Sequence, residues 1–395
     1  MTNITSLPTK VAVNDQSALL SNNVSNMAST KIVKADAILV SLPFASPGLV
    51  PWNMDGDKVP EKRFDVLLVR LETNTGLVGW GEAFSRNRDR ALRDMIQTKV
   101  LSLVVGRNPY EIGKIKNDIE RQLHNFGRSG PLQYGVGAVD LALWDLMGKS
   151  SGLPVAELLG GRYANELDVY ASLPRVGDVD AMRDVIEEVV TRGYKHIKLH
   201  DIDPKVIRAA FAAAPKDATM MLDLNCPWSV TVAEEMARDM SDLGAYWWEE
   251  PVWPPENYRG LARLRKEGYR TAAGENAGTY YDFVAMVDAG AIDVAQPDVS
   301  KVGGLTDTRA IAQLCDANGL QIVPHAAIFG PGLLATVHFN ASRYDTPFVE
   351  RLYFDFEAEL FGDALVPVNG RVAVPTNPGL GHDPNEEVIA EYRLD

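Results

Sequence analysis

The chain has 395 residues, of which 46% are hydrophobic and 23% charged, so it is large enough to bury the cores of two domains. Its formal net charge of −14 argues against a nucleic-acid-binding protein, because a phosphate backbone is bound by a clustered basic surface that this sequence lacks. Only 2 cysteines are present and no apolar run approaches the roughly 20 residues that cross a bilayer, so we expect a cytoplasmic protein without disulfides or membrane spans.

The N-terminal part of the sequence divides into an arm and a small domain. The beginning of the chain is rich in Ser, Asn and Thr and lacks the pattern of a signal peptide, so residues 1–31 are predicted to form an N-terminal arm. Strands are then predicted at 35–42, 64–72 and 76–84, and helices at 87–105, 109–126 and 131–149. Strands followed by segregated helices indicate an α+β domain, which we place at 32–160.

The segment 43–63, between the first two predicted strands, has four prolines and little periodicity. Long irregular segments within a compact domain are often functional lids. A solvated loop is the alternative interpretation.

From residue 161 onwards, short strands alternate with amphipathic helices, which is typical of a parallel α/β fold. Eight strands are predicted, at 167–171, 196–200, 219–223, 245–249, 271–275, 293–296, 321–324 and 348–353. We therefore predict that residues 161–354 form a (β/α)8-type TIM barrel. Residues 355–395 contain no ninth unit and are expected to pack back on the first domain.

Ionisable residues recur near the ends of the barrel strands at nearly equal intervals, each the length of one strand-helix repeat. They are Lys198, Asp223, Glu249, Glu275, Asp298, His325 and Glu350. Equal positions at successive strand ends bring side chains to one mouth of a barrel, where the catalytic groups of this fold lie. A single charged residue at the end of a strand is most simply explained by its exposure to solvent. Seven ionisable residues at nearly equal intervals instead predict an active site.

Asp223, Glu249 and Glu275 are oxygen donors from three consecutive strands. Three converging carboxylates repel one another unless a cation lies between them, and hard oxygen ligands favour Mg²⁺ over softer metals. Magnesium also keeps coordination positions for a substrate carboxylate, which suits Lewis-acid catalysis.

Several short strings resemble the enolase superfamily, in particular its mandelate-racemase-like branch. In the barrel these are LDLN at 222–225, EEP at 249–251, GEN at 274–276, QPDVSKVGG at 296–304 and VPH at 323–325. In the first domain they are GWGEAF at 79–84, DLALWDLMGK at 140–149 and LPVAELLGG at 153–161. The resemblance covers about residues 32–395, and it implies an α+β capping domain on a modified (β/α)7β barrel.

The resemblance also implies roles for the matching residues. Asp223, Glu249 and Glu275 match the Mg²⁺ ligands of the family, with Glu250 as an adjacent carboxylate. The metal would stabilise the enediolate that forms when the proton α to a substrate carboxylate is removed.

The general base of the family is matched by His325, and Asp298 matches the carboxylate that orients it. Glu350 matches a hydrogen-bond donor to the substrate carboxylate, a role that requires a protonated side chain. Asn225 is a candidate ligand for a substrate hydroxyl.

The second barrel strand departs from the family pattern, because it reads Lys198-Leu199-His200 where racemase-like members commonly have Lys-x-Lys. Strand alternation places Lys198 and His200 on one face, so both are expected to point into the barrel mouth. Lys198 would neutralise a substrate carboxylate. His200 takes the place of the usual second base, and its role stays open between an acid, a base and a hydroxyl-binding group.

Two other classes of protein fit the sequence less well. Barrel hydrolases of the amidohydrolase type carry His-x-His on the first strand, whereas this strand reads Val169-Tyr170-Ala171-Ser172. A non-catalytic sugar-acid-binding barrel would be expected to lack ligands or the base, whereas this sequence keeps all of them.

The reaction itself is less closely defined by the sequence. Polar residues of the first domain favour a polyhydroxylated acid as substrate: Asn53, Asp55, Lys58, Arg86 and Arg88. We predict dehydration of a sugar acid to a 2-keto-3-deoxy acid, with racemisation or epimerisation of a 2-hydroxy acid, or cycloisomerisation of a lactone, as alternatives. The expected partners are this small carboxylate and further copies of the chain in a homo-oligomer.

Overall fold

The computed structural model describes residues 27–45, 63–86, 89–346 and 348–394. Most of the predicted N-terminal arm and residues 46–62 of the candidate lid therefore lie outside the described residues. Within the described ranges, no helix is long and apolar enough to cross a membrane.

The first domain is built on an antiparallel sheet of β1 (Ile32–Ala45), β2 (Arg63–Thr73) and β3 (Val78–Ala83). The three predicted strands are all present, but β1 continues beyond the predicted end at residue 42. Pro43 pairs with Arg63, and Phe44 pairs with Phe356 of the C-terminal segment while its ring stacks 4.2 Å from that of Phe354. The expectation that the loop begins at residue 43 is wrong because these aromatic contacts extend the strand.

The helical layer of this domain packs on one face of the sheet. Its helices are α1 (Arg90–Met95), α2 (Ile112–Leu123), α3 (Pro131–Ser151) and α4 (Val155–Leu158). The single helix predicted at 87–105 is instead α1, a π-helical turn at Ile96–Val100 and a 3₁₀ turn at Leu101–Leu103. Within the π-helical turn, Gln97 accepts from the backbone N–H of Ala37 and donates to the carbonyl of Ala35, so its side chain satisfies the free edge of β1.

Eight parallel strands form the curled sheet of the second domain. They are β4 (Glu166–Leu173), β5 (His196–Leu199), β6 (Thr219–Asp223), β7 (Trp248–Glu249), β8 (Thr271–Ala273), β9 (Val294–Ala295), β10 (Gln321–Ile322) and β11 (Phe348–Leu352), and they pair in the order β10-β9-β8-β7-β6-β5-β4-β11. The helices between them are α5 (Val179–Thr191), α6 (Pro204–Ala213), α7 (Val230–Asp239), α8 (Tyr258–Lys266), α9 (Tyr280–Ala289), α10 (Gly304–Asn318) and α11 (Pro331–Ala341). Strands and helices alternate as (β/α)7β, so the predicted fold class is confirmed.

The lower interior of the barrel is filled by apolar and aromatic side chains from its strands, including Tyr170, Met221, Trp247 and Phe348. A packed interior of this kind closes the barrel below and leaves the carboxyl ends of the strands as the open end. Polar side chains at this end are therefore the ones available to a substrate.

The C-terminal segment contacts both domains. Its strand β12 (Asp355–Phe356) pairs with β1, and helix α12 (Glu386–Tyr392) is followed by Leu394, whose backbone N–H donates to the carbonyl of Leu39. Strand β13 (Arg371–Ala373) instead pairs antiparallel with β4 of the barrel.

The first domain is fastened to the barrel through Glu82, a fully buried residue of β3. Its Oε2 accepts from the backbone N–H groups of Gly330 and Gly332 at 2.9 Å each, at the N-terminus of α11. A Cβ atom on either glycine would lie within 3.0 Å of the Glu82 carboxylate, so only glycine leaves room for it. This loop begins directly after His325, and the capping domain therefore supports the backbone of the predicted base.

We expect Glu82→Gln to lower the free energy of unfolding by about 1–3 kcal/mol, because the amide keeps only one acceptor oxygen and turns its NH₂ group toward the buried N–H of Phe329 or toward those of Gly330 and Gly332. Chemical denaturation followed by far-UV circular dichroism measures this difference. The control is Glu72→Gln on β2, which removes only a solvent-screened ion pair with Arg70 and is expected to leave stability close to that of the wild type. Equal stability of the two variants would contradict the role assigned to Glu82.

Candidate active site at the barrel mouth

The structure brings all seven of the regularly spaced ionisable residues together at the carboxyl ends of the barrel strands. Asp223 and Glu249 end β6 and β7, while Glu275, Asp298 and His325 follow β8, β9 and β10 by two or three residues. Lys198 lies within β5 and Glu350 within β11. Six of the seven side chains are buried, and Glu275 is partly exposed at 13%.

The three predicted metal ligands converge. One carboxylate oxygen from each of Asp223, Glu249 and Glu275 can be chosen so that all three lie within 4.8 Å of one another. Burial and the neighbouring charge of Asp223 hold the pKa of Glu249 well above its ordinary value, as expected when buried carboxylates crowd together. A cation among these oxygens would relieve this repulsion, and the all-oxygen donor set fits a hard divalent ion.

The ammonium of Lys198 lies among these carboxylates and supplies positive charge to them. Its Nζ lies 2.9 Å from Asp223 Oδ2, 3.2 Å from Glu249 Oε1 and 2.8 Å from Glu350 Oε1. Burial lowers the pKa of Lys198, but these three carboxylates outweigh burial and hold the pKa well above its ordinary value. The ammonium thus already forms ion pairs with carboxylates of this chain, whereas the sequence analysis expected it to neutralise a carboxylate of the substrate.

The backbone is strained around the predicted metal ligands. Glu250, beside Glu249, has a φ of 41°, and the consecutive residues Asn225 and Cys226 have φ values of 51° and 55°. The Glu250 carboxylate accepts from Asn276 Nδ2 at 2.6 Å, and Asn276 Nδ2 also lies 3.1 Å from Glu275 Oε1. Backbone conformations of this kind cluster at functional sites, where the surrounding structure holds them in place.

His325 and Asp298 form the expected pair. Asp298 Oδ2 lies 2.7 Å from His325 Nδ1, and Asp298 Oδ1 accepts from the hydroxyl and the backbone N–H of Ser300. Asp298 therefore fixes the ring so that Nε2 points into the mouth, where it lies 2.7 Å from Glu275 Oε2. Burial lowers the pKa of His325, but the carboxylates of Glu275, Glu350 and Asp298 raise it to about 10 overall.

Glu350 differs from the expectation that it is protonated. Its Oε1 accepts from the Ser172 hydroxyl at 2.7 Å and its Oε2 accepts from the backbone N–H of Ala326 at 2.8 Å, with Lys198 beside it. Burial raises the pKa of Glu350, but Lys198 and His325 lower it to about 2 overall. Donors on every side favour the ionised carboxylate in this arrangement.

His200 lies beside Lys198, as strand alternation predicted. Its Nδ1 lies 2.6 Å from the carbonyl oxygen of Leu173, so Nδ1 donates and Nε2 faces Asp223 Oδ2 at 3.0 Å. Both ring nitrogens are thus engaged, one of them by a predicted metal ligand. A role as a second base stays a prediction.

Asn225 lies at the edge of this cluster. It is half-buried, and its backbone N–H donates to Asp223 Oδ1 at 3.2 Å, so its side chain stays available for the predicted hydroxyl contact. Of the five polar residues of the first domain, Arg86 lies within the described residues and donates to the carbonyl of Ala327. Asn53, Asp55, Lys58 and Arg88 lie outside them.

Two contributors were not identified from the sequence. Ser172 lies one strand-helix repeat before Lys198, so the interval that marked the other residues extends to it. Trp247 fills the barrel interior and also donates from Nε1 to Glu249 Oε2 at 3.0 Å, so it orients a predicted ligand. A hydroxyl and an indole carry no charge, so the regular spacing of ionisable residues does not identify either of them.

The chain matches known families over most of its length. Residues 45–160 match the family model described as the mandelate racemase / muconate lactonizing enzyme N-terminal domain, and residues 181–388 match the enolase C-terminal domain-like family. The chain is 30% identical to a D-galactarolactone cycloisomerase of Agrobacterium fabrum, covering 83% of this chain and 91% of that protein. It is 28% identical to an arabinonate dehydratase of Saccharolobus solfataricus, covering 84% and 92%.

Solved structures agree with these matches. A racemase from Streptomyces coelicolor A3(2) with bound magnesium superposes with a TM-score of 0.80 at 27% identity, covering 92% of this chain and 100% of that one. The 3,6-anhydro-D-galactonate cycloisomerase from Zobellia galactanivorans gives a TM-score of 0.78 at 27% identity, with the same coverage. The chain therefore belongs to the enolase superfamily, in its mandelate racemase and muconate lactonizing enzyme branch.

Proposed function

We propose that this enzyme removes the proton α to the carboxylate of a sugar acid with the aid of Mg²⁺ and dehydrates the acid to a 2-keto-3-deoxy acid. The observation that carries the proposal is the position of His325, which is held by Asp298 on one side and faces the carboxylate cluster with Nε2. A carboxylate-oriented imidazole beside a metal site is the arrangement that α-proton abstraction requires.

The metal would be held by Asp223, Glu249 and Glu275. When bound there, Mg²⁺ supplies positive charge to the substrate carboxylate and so makes the α proton more acidic. Lys198 lies against two of these ligands and keeps a fixed positive charge beside them.

The chain's own residues account for the proton transfers. His325 Nε2 accepts the α proton, and Asp298 stabilises the imidazolium that results. The imidazolium then donates that proton to the β-hydroxyl as its C–O bond breaks, and water leaves. The enol that remains tautomerises to the 2-keto-3-deoxy acid, so one histidine serves as base and then as acid.

The position of His200 favours a reaction with one base. Racemisation needs a second base that exchanges protons on the opposite face of the α carbon. His325 has the carboxylate of Asp298 at Nδ1 to stabilise an imidazolium, whereas Nδ1 of His200 donates to the backbone carbonyl of Leu173, so His200 is the weaker candidate for a base. Cycloisomerisation of a lactone also needs one base, and the likeness to cycloisomerases supports it as the second candidate.

The first experiment is incubation with Mg²⁺ and a library of sugar acids and their lactones in D₂O. Formation of 2-keto acid would support dehydration, and lactone isomerisation without keto acid would support the second candidate. Deuterium at the α carbon without either product would point to racemisation, and no exchange with any acid would contradict α-proton abstraction.

His325→Asn is expected to lower the rate of α-proton exchange by about 10²–10⁴-fold, because the amide cannot accept the proton. Exchange is measured by NMR in D₂O at saturating Mg²⁺. The control is His382→Asn in the C-terminal segment, which is expected to keep the wild-type rate. Exchange at the wild-type rate in the His325 variant would contradict its role as the base.

Asp223→Asn is expected to weaken Mg²⁺ binding by at least about tenfold, because one anionic oxygen ligand becomes a neutral amide. Isothermal titration calorimetry measures this affinity without any substrate. Asp217→Asn, which changes an exposed aspartate before β6, is the matched control. If both variants bind Mg²⁺ equally well, Asp223 is not a ligand.

A further inference from the structure

Lys301 is a buried cation in the loop between β9 and α10, three residues after Asp298. It is 6% exposed, and within the described part of the chain its ammonium has no carboxylate at ion-pair distance. Its Nζ lies instead 4.1 Å from the centroid of the Phe84 ring. Since burying an ammonium without an anionic partner is unfavourable, this position is suited to an anion from outside the chain.

Lys301 lies close to the proposed catalytic groups, since its backbone N–H donates to the carbonyl oxygen of Asp298 at 2.9 Å. The carboxylates of Asp298 and Glu275 each lie 2.7 Å from a ring nitrogen of His325, so neither is a partner that Lys301 holds for itself.

Two further polar groups surround the same aromatic ring. The Tyr134 ring lies 5.6 Å from that of Phe84, and within the described residues its hydroxyl has no hydrogen-bond partner. The Arg86 guanidinium lies 4.5 Å from the Phe84 ring and 4.1 Å from the Phe64 ring. It donates to the carbonyl oxygens of Ser85 and Ala327, which leaves further N–H groups of its fork available.

These side chains come from both domains and meet because the domains are in close contact. A Cβ atom on Gly137 of α3 would lie 3.0 Å from the carbonyl oxygen of Val299, so α3 lies directly on the loop that carries Lys301. Tyr134 is one turn earlier on the same helix. Phe84, Arg86 and Tyr134 line a cavity of about 470 Å³ that is open to solvent and has room for several carbon atoms of a ligand.

We propose that Lys301, Tyr134 and Arg86 form a second anion subsite, which binds the distal carboxylate of a dicarboxylic sugar acid. The ammonium, the hydroxyl and the guanidinium can all donate to carboxylate oxygens, and hydrogen bonds that involve a charged donor and a carboxylate are stronger than neutral ones. The other carboxylate of the substrate would bind the Mg²⁺ ion that Asp223, Glu249 and Glu275 would hold, so this inference rests on the proposed function. It narrows the substrate class from sugar acids in general to diacids.

The test compares hexaric acids with hexonic acids of the same configuration, as substrates of the wild type, Lys301→Met, Tyr134→Phe and Lys266→Met. Methionine keeps the length and apolar stem of lysine without its charge. Lys266 is an exposed residue of α8 and serves as the control for a lost surface charge. The readouts are kcat and KM for α-proton exchange in D₂O at saturating Mg²⁺.

We expect the wild type and Lys266→Met to have at least about tenfold higher kcat/KM for the diacid, which is the range of a hydrogen bond to a charged group. Lys301→Met should lower the ratio of kcat/KM for the diacid to kcat/KM for the monoacid by at least about tenfold, chiefly by raising KM for the diacid. Tyr134→Phe should lower this ratio by less. Equal rates on both acids in the wild type would overturn the proposal. An equal loss on both acids in Lys301→Met would also overturn it, because Lys301 would then act only on its neighbours in the active site.

A binding measurement separates this proposal from the proposed function. Calorimetric titration of a hexaric acid into His325→Asn, with and without Lys301→Met, needs no turnover. If no acid exchanges its proton but Lys301→Met weakens binding at least about tenfold, the subsite stands and α-proton abstraction fails. If exchange occurs and Lys301→Met leaves binding unchanged, the subsite alone fails.

Thermal unfolding checks the folding of the variant. Removal of a buried charge that has no partner is expected to leave stability unchanged or to raise it. A clear loss of stability in Lys301→Met would contradict the absence of an internal partner and, with it, the proposal.

Discussion

The burial of several like charges at one end of the barrel is the constraint on which the rest of the site depends. Asp223, Glu249 and Glu350 surround the ammonium of Lys198 at 2.8 to 3.2 Å, and all four side chains are shielded from water. Carboxylates that are buried around one point in this way are stable in their ionised form only with positive charge among them. Lys198 supplies one such charge, and the acidic triad has the donors to hold another on a metal ion.

The same electrostatic requirement accounts for the position of the proposed base. His325 lies between Asp298 and Glu275, so an imidazolium formed there is stabilised on both sides. The loop that follows His325 is held from outside the barrel, because Glu82 of the capping domain accepts from the N–H groups of Gly330 and Gly332 at the start of α11. The capping domain therefore positions the loop that follows the proposed base. We infer that it also selects the substrate through Tyr134 and Arg86, which lie beside Lys301 of the barrel.

Sequence and structure agree best for residues whose positions follow from the strand-helix repeat of the barrel. The nearly constant interval between strand ends predicted that seven ionisable groups share one barrel mouth, and the structure brings all seven together. The sequence did not indicate how they pair: Lys198 lies against carboxylates of this chain, and Glu350 is surrounded by donors that favour its ionised form. Pairing depends on side-chain distances across the barrel, which strand-end spacing does not contain.

The sequence by itself determined the barrel, the α+β domain and the set of oxygen donors, because hydrophobic periodicity and the strand repeat are local properties of the chain. Only the tertiary structure decided which residues from distant segments meet. The contact of Glu82 with the loop after His325, and the meeting of Phe84, Tyr134 and Lys301, join parts of the chain that lie far apart in the sequence. Such contacts depend on how the two domains pack, and packing is set by shape complementarity at glycines such as Gly137 and Gly330.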